Sequence, residues 1–286
     1  MSDDLEALAA HRHAVDATLP LLGAIQSIAE MAHRDAERAG APLKEYAARV
    51  RALLKTLLES LEPHERDELL ARMTGSGPSA LVVIGSERGL CGAFNDHLAR
   101  RLAGLIEPST LVVCWGARCA RMLHAAGHTI TLSAPLPSLA VPQYADIERM
   151  TLDILDVVEQ HQVSRLSVLS SAPVHGFQYA ANVRQVLPPG LAELDGRRRS
   201  LEVKPAADMP KLLVHLISEY VLTELYSAAI ESAVSEQLAR VAAMRLASEN
   251  ARKLLDELTM HYNLARQRSV TQSLLEIVTG YETLEA

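Results

Sequence analysis

The C-terminal quarter of the chain has an apolar pattern with helical spacing. Residues 211–279 contain neither proline nor glycine, and apolar side chains recur three and four positions apart along them. One unbroken helix of this length would reach about 100 Å at about 1.5 Å per residue, which exceeds the diameter of a compact domain of this chain. We therefore expect a projecting helix of the coiled-coil type that is covered by another molecule.

Residues 3–60 also show a mostly helical pattern, but proline and glycine occur within it. Pro20, Gly23, Gly40 and Pro42 predict interruptions, because proline inside a helix removes a hydrogen bond and glycine lowers helix propensity. Helices that flank an inserted domain can pair antiparallel, which gives each apolar stripe a partner. The N-terminal helical segments and the long C-terminal helix are expected to pair in this way.

Between these helices, short apolar runs alternate with helical segments after a Gly-Ser-Gly-Pro stretch that indicates a boundary. Strands are predicted at residues 80–84, 110–114, 129–132 and 165–169, and the first and last of them are expected to be buried. Helices are predicted at residues 94–106, 117–126 and 144–161, and candidate edge strands at 177–187 and 201–204 around a turn at residues 197–199. Such alternation is typical of a parallel sheet.

The predicted fold class is therefore α/β: a long antiparallel coiled coil of the N- and C-terminal helices with an inserted Rossmann-like domain. We predict three parts along the chain. They are an N-terminal helical part of the coiled coil at 1–74, the α/β domain at 75–208 and the long C-terminal helix at 209–286.

Composition and charge exclude several classes of protein. The net charge of −7 argues against binding nucleic acid or an anionic membrane through bulk electrostatics. No apolar stretch is long enough to span a bilayer, and the acidic N-terminus does not resemble a targeting peptide. The three cysteines, Cys91, Cys114 and Cys119, have no metal-ligand spacing, so reduced thiols are expected. We expect a protein that stays in the compartment where it is made.

The sharpest local motif is a glycine-containing loop, GSERGLCGAFN, at residues 85–95, between a predicted strand and a predicted helix. This position suggests a phosphate site, but the spacing matches neither GxGxxG nor GxxxxGK[ST], and the loop contains no lysine. A structural tight turn is the favoured interpretation. Cys91 in this loop is a candidate nucleophile, but no histidine lies nearby in the sequence, which favours a small buried apolar residue.

No other residue pattern indicates a reaction centre. The eleven histidines form no HExxH pair, and solvated or capping roles are favoured for them. The three arginines at residues 197–199 are interpreted as a solvated turn, with a docking patch as the alternative. We therefore predict no catalytic residues, no bound cofactor and no metal site.

Two segments resemble the gamma subunit family of F-type ATP synthases. The loop GSERGLCGAFN is similar to that family's hallmark loop, and SEQLARVAAMRLASENARKLLDELTMHYNLARQRSVTQSLLEIVTG is similar to its C-terminal signature. The resemblance covers residues 79–95 and 212–280 strongly and the N-terminal helix weakly. The resemblance implies that six residues of the loop form a structural motif, namely Gly85, Arg88, Gly89, Gly92, Phe94 and Asn95.

The resemblance implies a rotating central stalk without chemistry of its own. Its partners are expected to be the alpha and beta subunits, the epsilon subunit and the ring of membrane c subunits, with no nucleic acid and no direct membrane insertion. The expected location is the cytoplasmic face of a bacterial inner membrane, as a peripheral protein. Residues that match positions contacting a beta-subunit loop, or that lie on the same segment, are Arg266, Gln267, Thr271, Asn263 and Arg268.

The N-terminal segment departs from the family pattern. Gln26 stands where the family usually has lysine, and Glu30 is an added acidic residue. Residues 1–40 contain three basic and seven acidic residues, a net charge of −4, whereas the family's basic residues there would face acidic beta-subunit loops. These departures identify a divergent member. The lost basic face and the interrupted first helix motivate one rival hypothesis, a gamma-like regulatory or scaffold protein that does not rotate. A second rival is an independent nucleotide-binding enzyme built on the α/β domain, and the missing phosphate signature disfavours it.

Overall fold

The computed structural model describes residues 2–66, 68, 76–137, 141–175, 178–190 and 209–285. The elements, in chain order, are α1 (Ser2–Ser60), β1 (Ser79–Ile84), α2 (Phe94–Ala103), β2 (Leu111–Trp115), α3 (Ala117–Ala125), β3 (Leu132–Ala134), α4 (Tyr144–Gln160), β4 (Arg165–His175), β5 (Gln178–Leu187) and α5 (Met209–Glu285). The chain contains two compact units, one of Ile28–Arg240 and one of Met1–Ser27 with Val241–Ala286. Helices α1 and α5 contribute residues to both.

Helix α1 is continuous, so the predicted interruptions at its prolines and glycines are wrong. A proline leaves the carbonyl four residues earlier without its helical partner. Pro20 and Pro42 are exposed, and so are Asp16 and Arg38, which have the freed carbonyls. Water can therefore satisfy these carbonyls, and helix formation by the rest of α1 outweighs the local cost.

The two glycines of α1 differ in their surroundings. Gly40 is buried, and a Cβ added to it would lie 3.3 Å from Cγ2 of Ile230 on α5, whereas a Cβ on Gly23 would contact nothing. Gly40 therefore allows close approach of the two helices. Within Ile28–Arg240, Gly40 of α1 lies against Ile230 of α5. Ala36, which precedes Gly40, packs in a cluster with Leu238, which follows Ile230. This order shows antiparallel packing.

The sheet has the strand order β3-β2-β1-β4-β5. Strands β3, β2, β1 and β4 pair in parallel, as predicted, and β5 pairs antiparallel to β4 at the edge. The predicted strand at residues 129–132 is displaced, because residues after α3 form a turn through Gly127, at φ 86°, before β3 begins at Leu132. The predicted edge strand at 201–204 and the arginine turn at 197–199 lie outside the described residues.

Strand β1 is buried on both faces, which explains its uninterrupted apolar run. Its side chains alternate: Ala80, Val82 and Ile84 pack in a core with residues of α1, α4 and α5. Leu81 and Val83 pack in a second core with α2 and α3. The sheet of this unit is therefore a central layer between two layers of helices.

The unit of Met1–Ser27 and Val241–Ala286 consists of two helical segments. Arg12 on one segment places its guanidinium carbon 4.8 Å from the ring centroid of Tyr262 on the other, a cation–π contact. Large apolar side chains of this unit are exposed, among them Leu246, Leu264, Val270, Leu274 and Ile277. In the part of the chain that the structure describes, no helix has an apolar stretch long enough to cross a bilayer.

Candidate functional site

Two glycines shape the glycine-containing loop where it leaves β1. A Cβ added to Gly85 would overlap the side chain of Cys119, so only glycine fits against α3 at this point. The N–H of Gly85 donates to the carbonyl of Trp115 at 2.9 Å. Gly116 has a φ of 107°, and a Cβ there would lie 2.6 Å from the carbonyl oxygen of Gly85. The ends of β1 and β2 therefore require both glycines for backbone geometry.

Asn95 and Phe94 attach the start of α2 to the loop. The Oδ1 of Asn95 accepts from the N–H of Ser86 at 3.0 Å, and its Nδ2 donates to Ser86 Oγ at 2.7 Å. Phe94 is fully buried, with its ring centroid 5.7 Å from that of Tyr179. These predicted motif residues therefore hold the loop in one conformation.

Glu87 of the loop occupies the N-terminus of α3. Its Oε2 accepts from the N–H of Ala117 at 2.8 Å and from the N–H of Leu136 at 3.0 Å. The next two amides of α3, Arg118 and Cys119, donate to the backbone carbonyls of Glu87 and Ser86. The first amides of α3 therefore have acceptors within the loop, which ties the loop to this helix start. This arrangement supports the interpretation as a structural turn.

The tip of the loop is exposed. Arg88, Gly89, Leu90 and Gly92 all face solvent, and Leu90 and Gly92 have φ values of 65° and 56°. The left-handed conformation is unfavourable for leucine, and its side chain is 60% exposed. The loop therefore has a fixed base and a tip available for contact with another molecule.

Helix α5 bonds the end of β1 through Ser232 and the loop through Arg240, with Glu236 midway between them. Ser232 Oγ donates to the carbonyl of Ile84, the last residue of β1, at 2.9 Å. Arg240 Nη2 donates to the carbonyl of Gly89 at 3.3 Å and to Glu236 Oε1 at 2.5 Å. Open α/β sheets bind ligands in the crevice at the carboxyl ends of their strands. Here α5 lies over the carboxyl end of β1.

Burial raises the pKa of Glu236 to about 7, although Arg240 beside it favours the charged form. The side chains of Arg240 and Glu236 are only 4% and 9% exposed. The Gln237 Oε1 accepts a further bond from Arg240 Nη1 at 2.7 Å. The pair is therefore a buried polar connection between α5 and the loop, with a carboxyl group that titrates near neutral pH.

The cysteines have the properties of buried apolar residues. Cys91, Cys114 and Cys119 are free and buried. Burial raises the pKa of the Cys91 thiol, and a hydrogen bond with Cys114, followed by burial, raises the pKa of the Cys119 thiol. Both thiols are therefore protonated at neutral pH and poorly suited to act as nucleophiles. Among the described residues, no group of His, Cys, Asp and Glu side chains could hold a metal ion.

The predicted partner-contact residues lie late in α5 and are all exposed: Asn263, Arg266, Gln267, Arg268 and Thr271. At about 100° per residue, Asn263, Arg266, Gln267 and Thr271 span an arc of about 140° of the helix surface, and Arg268 lies outside this arc, about 60° beyond Thr271. The Oγ1 of Thr271 donates to the carbonyl of Gln267 at 2.9 Å. One helix face thus presents four of the five, while their contact with a partner stays a prediction.

A second polar cluster, centred on Glu224, was not predicted from the sequence. Glu224, whose side chain is 1% exposed, is bonded by Arg51 of α1 and by Arg184 of β5, the latter at 3.1 Å. Arg184 also bonds Glu231 at 3.1 Å. The partners lie 40 to 173 positions apart in the sequence, so spacing alone could not pair them. The sequence feature that could have indicated this cluster is Glu224 itself, a charged residue within an apolar stretch of α5.

Comparison with known proteins gives one family over almost the whole chain. The ATP synthase family model matches residues 4–284. The ATP synthase gamma chain of Ruegeria pomeroyi is 28% identical over 94% of this chain and 96% of its own. That of Roseobacter denitrificans is 26% identical with the same coverage, and that of Streptococcus suis is 27% identical over 94% of both chains.

Solved structures resemble the fold at lower identity. A chain of the Euglena gracilis mitochondrial ATP synthase, in an OSCP/F1/c-ring structure, has a TM-score of 0.72 at 16% identity and covers 99% of this chain and 95% of its own. A chain from the central stalk and c-ring of the Tetrahymena thermophila mitochondrial ATP synthase has a TM-score of 0.59 at 17% identity, with 80% and 99% coverage. These likenesses show a shared fold.

Proposed function

The chain belongs to the ATP synthase gamma family, and from that premise we propose that it is the rotor shaft of an F-type ATP synthase. In this role it couples ion translocation to ATP synthesis or hydrolysis by rotating inside a ring of alpha and beta subunits. Its further partners are the epsilon subunit and the membrane c ring. The shaft is non-catalytic and lies at the cytoplasmic face of a bacterial inner membrane as a peripheral protein.

The observation that supports this role most strongly is the match of the family model to residues 4–284. The organisation proposed for the chain has an N-terminal helical part at 1–74, an α/β domain at 75–208 and a C-terminal helix at 209–286. A shaft drives its partners by contacting each of their conformations differently, since a partner shifts an equilibrium only through differential binding. The exposed late part of α5, with Arg266 and Gln267, is the proposed contact surface for beta-subunit loops.

A shaft also needs a firm connection between its helices and its α/β domain. Within Ile28–Arg240, Ser232 bonds the end of β1, and Arg240 bonds the loop that follows it. Arg184 of the edge strand bonds Glu224 and Glu231 on the same helix. Buried polar groups would lose these partners if the helix turned against the sheet, which is costly. Torque applied to the sheet would therefore reach the helix.

The rival hypothesis is a gamma-like scaffold that does not rotate. A broken first helix was one of its two motives, and the continuous α1 removes it. The acidic N-terminal segment remains, with Glu30 among its residues. The independent nucleotide-binding enzyme loses support, because the relatives that match almost the whole chain are ATP synthase gamma chains.

Isolation of the complex and a rotation assay together test the proposal. The full chain, with an affinity tag, is purified from its own host, and the ring that co-purifies is assayed for ATP hydrolysis and for rotation of a probe fixed to the chain. We expect an ATPase ring with alpha, beta and epsilon subunits and a rotating probe. A stable complex that hydrolyses ATP with a stationary probe would support the scaffold, and absence of the ring would contradict both.

A further inference from the structure

A polar cavity of about 580 Å³ lies within Ile28–Arg240, apart from the glycine-containing loop. Helix α1, helix α5 and strand β5 form its walls. Seven charged or hydroxyl side chains line it: Lys44, Arg51, Arg184, Tyr220, Glu224, Ser227 and Glu231. The connection proposed above between sheet and helix uses Arg184, Glu224 and Glu231 of this lining, but gives no role to Lys44 or Ser227.

The charges in the cavity are unequal. Three cationic side chains face two carboxylates, which leaves a formal charge of +1. Both oxygens of Glu224 are occupied, one by Arg51 Nε and the other by Arg184 Nη1, and Arg184 Nη2 bonds Glu231. The two carboxylates are therefore neutralised by the arginines, and the excess positive charge lies at Lys44.

Two cationic groups with free donors and one enclosed hydroxyl without a partner lie beside the cavity. Among the residues that the structure describes, Lys44 makes no hydrogen bond or ion pair, and Arg51 uses only its Nε. The hydroxyl of Ser227, a residue that is 5% exposed, has no hydrogen-bond partner. A buried hydroxyl without a partner is unfavourable, and most buried polar groups are bonded. An ammonium, a guanidinium and a hydroxyl together are the donors that bind a small oxyanion.

We propose that this cavity binds a small free oxyanion of the phosphate type. Its oxygens accept from the Lys44 ammonium and the terminal nitrogens of Arg51, with the Ser227 hydroxyl as a further donor. Arg184 stays with the two glutamates. Binding neutralises the excess charge at the place where α1, α5 and β5 meet, and so stabilises the packing of these three elements.

The test is calorimetric titration of the full chain with sodium phosphate, with thermal unfolding as the second measurement. Sodium chloride at equal ionic strength is the reference. We expect phosphate to bind and to raise the unfolding temperature above that in chloride. Lys44→Gln should weaken phosphate binding about three- to tenfold, since it removes one charge-assisted bond at a partly exposed site. Lys44→Arg should keep the affinity within about twofold, because it keeps the charge.

Two further variants separate binding from general charge and from folding. Lys55→Gln removes one positive charge from the same helix, about 16 Å farther along at about 1.5 Å per residue, and should leave phosphate binding unchanged. Ser227→Ala should fold and should bind phosphate more weakly than the wild type. Equal responses to phosphate and chloride, or equal losses in Lys44→Gln and Lys55→Gln, would overturn the proposal. Unchanged phosphate binding in Lys44→Gln would also overturn it.

Discussion

The same helix has two surroundings in its two compact units. In residues 220–240 of α5, all but Tyr226, Glu231 and Ala233 are buried, including glutamate, arginine and serine side chains. Between residues 245 and 278, Leu258 is the one buried residue that the structure describes. The two stretches have similar helical patterns, so burial by neighbouring elements is what distinguishes them.

The same apolar helical pattern therefore serves two purposes in α5, internal packing in one stretch and contact with another molecule in the other. In the buried stretch the chain itself supplies the cover, and each polar group needs a partner within the chain. In the exposed stretch, apolar residues such as Leu274 and Ile277 remain at the surface, and contiguous exposed apolar area is typical of an interface. The first stretch should therefore determine stability, and the second should determine function in a complex.

The largest expected effect is at the buried ion pair. Arg240→Met removes the cation next to Glu236, and loss of one partner of a buried pair costs about 3–5 kcal/mol of unfolding free energy. Chemical denaturation at pH 8 measures it. The loss should be smaller at pH 5, because Glu236 is then protonated and needs no counter-charge. Arg268→Met, in the exposed stretch, is the matched control, and an equal loss there would contradict the distinction between the two stretches.

A pair of leucines compares packing in the two stretches directly. Leu225 is fully buried, and Leu225→Ala should cost about 2–5 kcal/mol through lost burial and the cavity left behind. Leu274 is 58% exposed, and Leu274→Ala should change stability by less than about 0.5 kcal/mol. Urea unfolding of both variants measures the difference. Similar losses would mean that the exposed stretch is covered within the chain.

Glu236 should make the buried stretch sensitive to pH. Its pKa of about 7 in the folded protein lies above the ordinary value of 4.5, so the folded state binds the proton more tightly. Its contribution to stability is therefore fully present below about pH 4.5 and is lost as the pH rises through 7. Relative to Glu236→Gln, the unfolding free energy of the wild type should fall by up to about 1.4 kcal/mol per pH unit as the pH rises from about 4.5 to about 7.

Unfolding curves of the two proteins from pH 4.5 to 8 test this prediction. The glutamine variant keeps the shape of the side chain and cannot titrate, so other titrating groups cancel in the difference. A constant difference between the two proteins across this range would contradict the raised pKa.

The smallest expected effect on folding is accompanied by a loss of function. Arg266→Ala with Gln267→Ala changes two exposed side chains, so the unfolding free energy should stay within about 0.5 kcal/mol of the wild type. In the reconstituted complex, coupled ATPase or synthase activity should fall, because charge-assisted bonds to a desolvated partner contribute about 1.5–3 kcal/mol each. Unchanged turnover and torque would mean that the shaft acts by shape alone.

Local patterns predicted most of the elements. The uninterrupted apolar run before Gly85 identified β1, and the lack of proline and glycine at residues 211–279 identified α5. The continuity of α1 could not be predicted, because it depends on which helix face Pro20 and Pro42 occupy after packing. The turn after α3 also displaced β3, since strand position depends on pairing with β2.

The polar connections between distant segments were the least predictable part of the site. Sequence similarity identified the loop, but Arg240 and Ser232 reach it across about 150 positions. The Arg51–Glu224–Arg184 cluster joins three elements in the same way. Helical spacing places such residues on one face, but only the tertiary fold determines which backbone carbonyl or side chain that face meets.

The carboxylate of Glu87 also bears on how such a loop could change during evolution. It supplies, from within the chain, the negative charge that the start of α3 favours. A change to a shorter uncharged side chain would leave the amides of Ala117 and Leu136 without their acceptor, beside a helix start with positive character. A single substitution at Glu87 would therefore open this helix start to an anion from outside the chain.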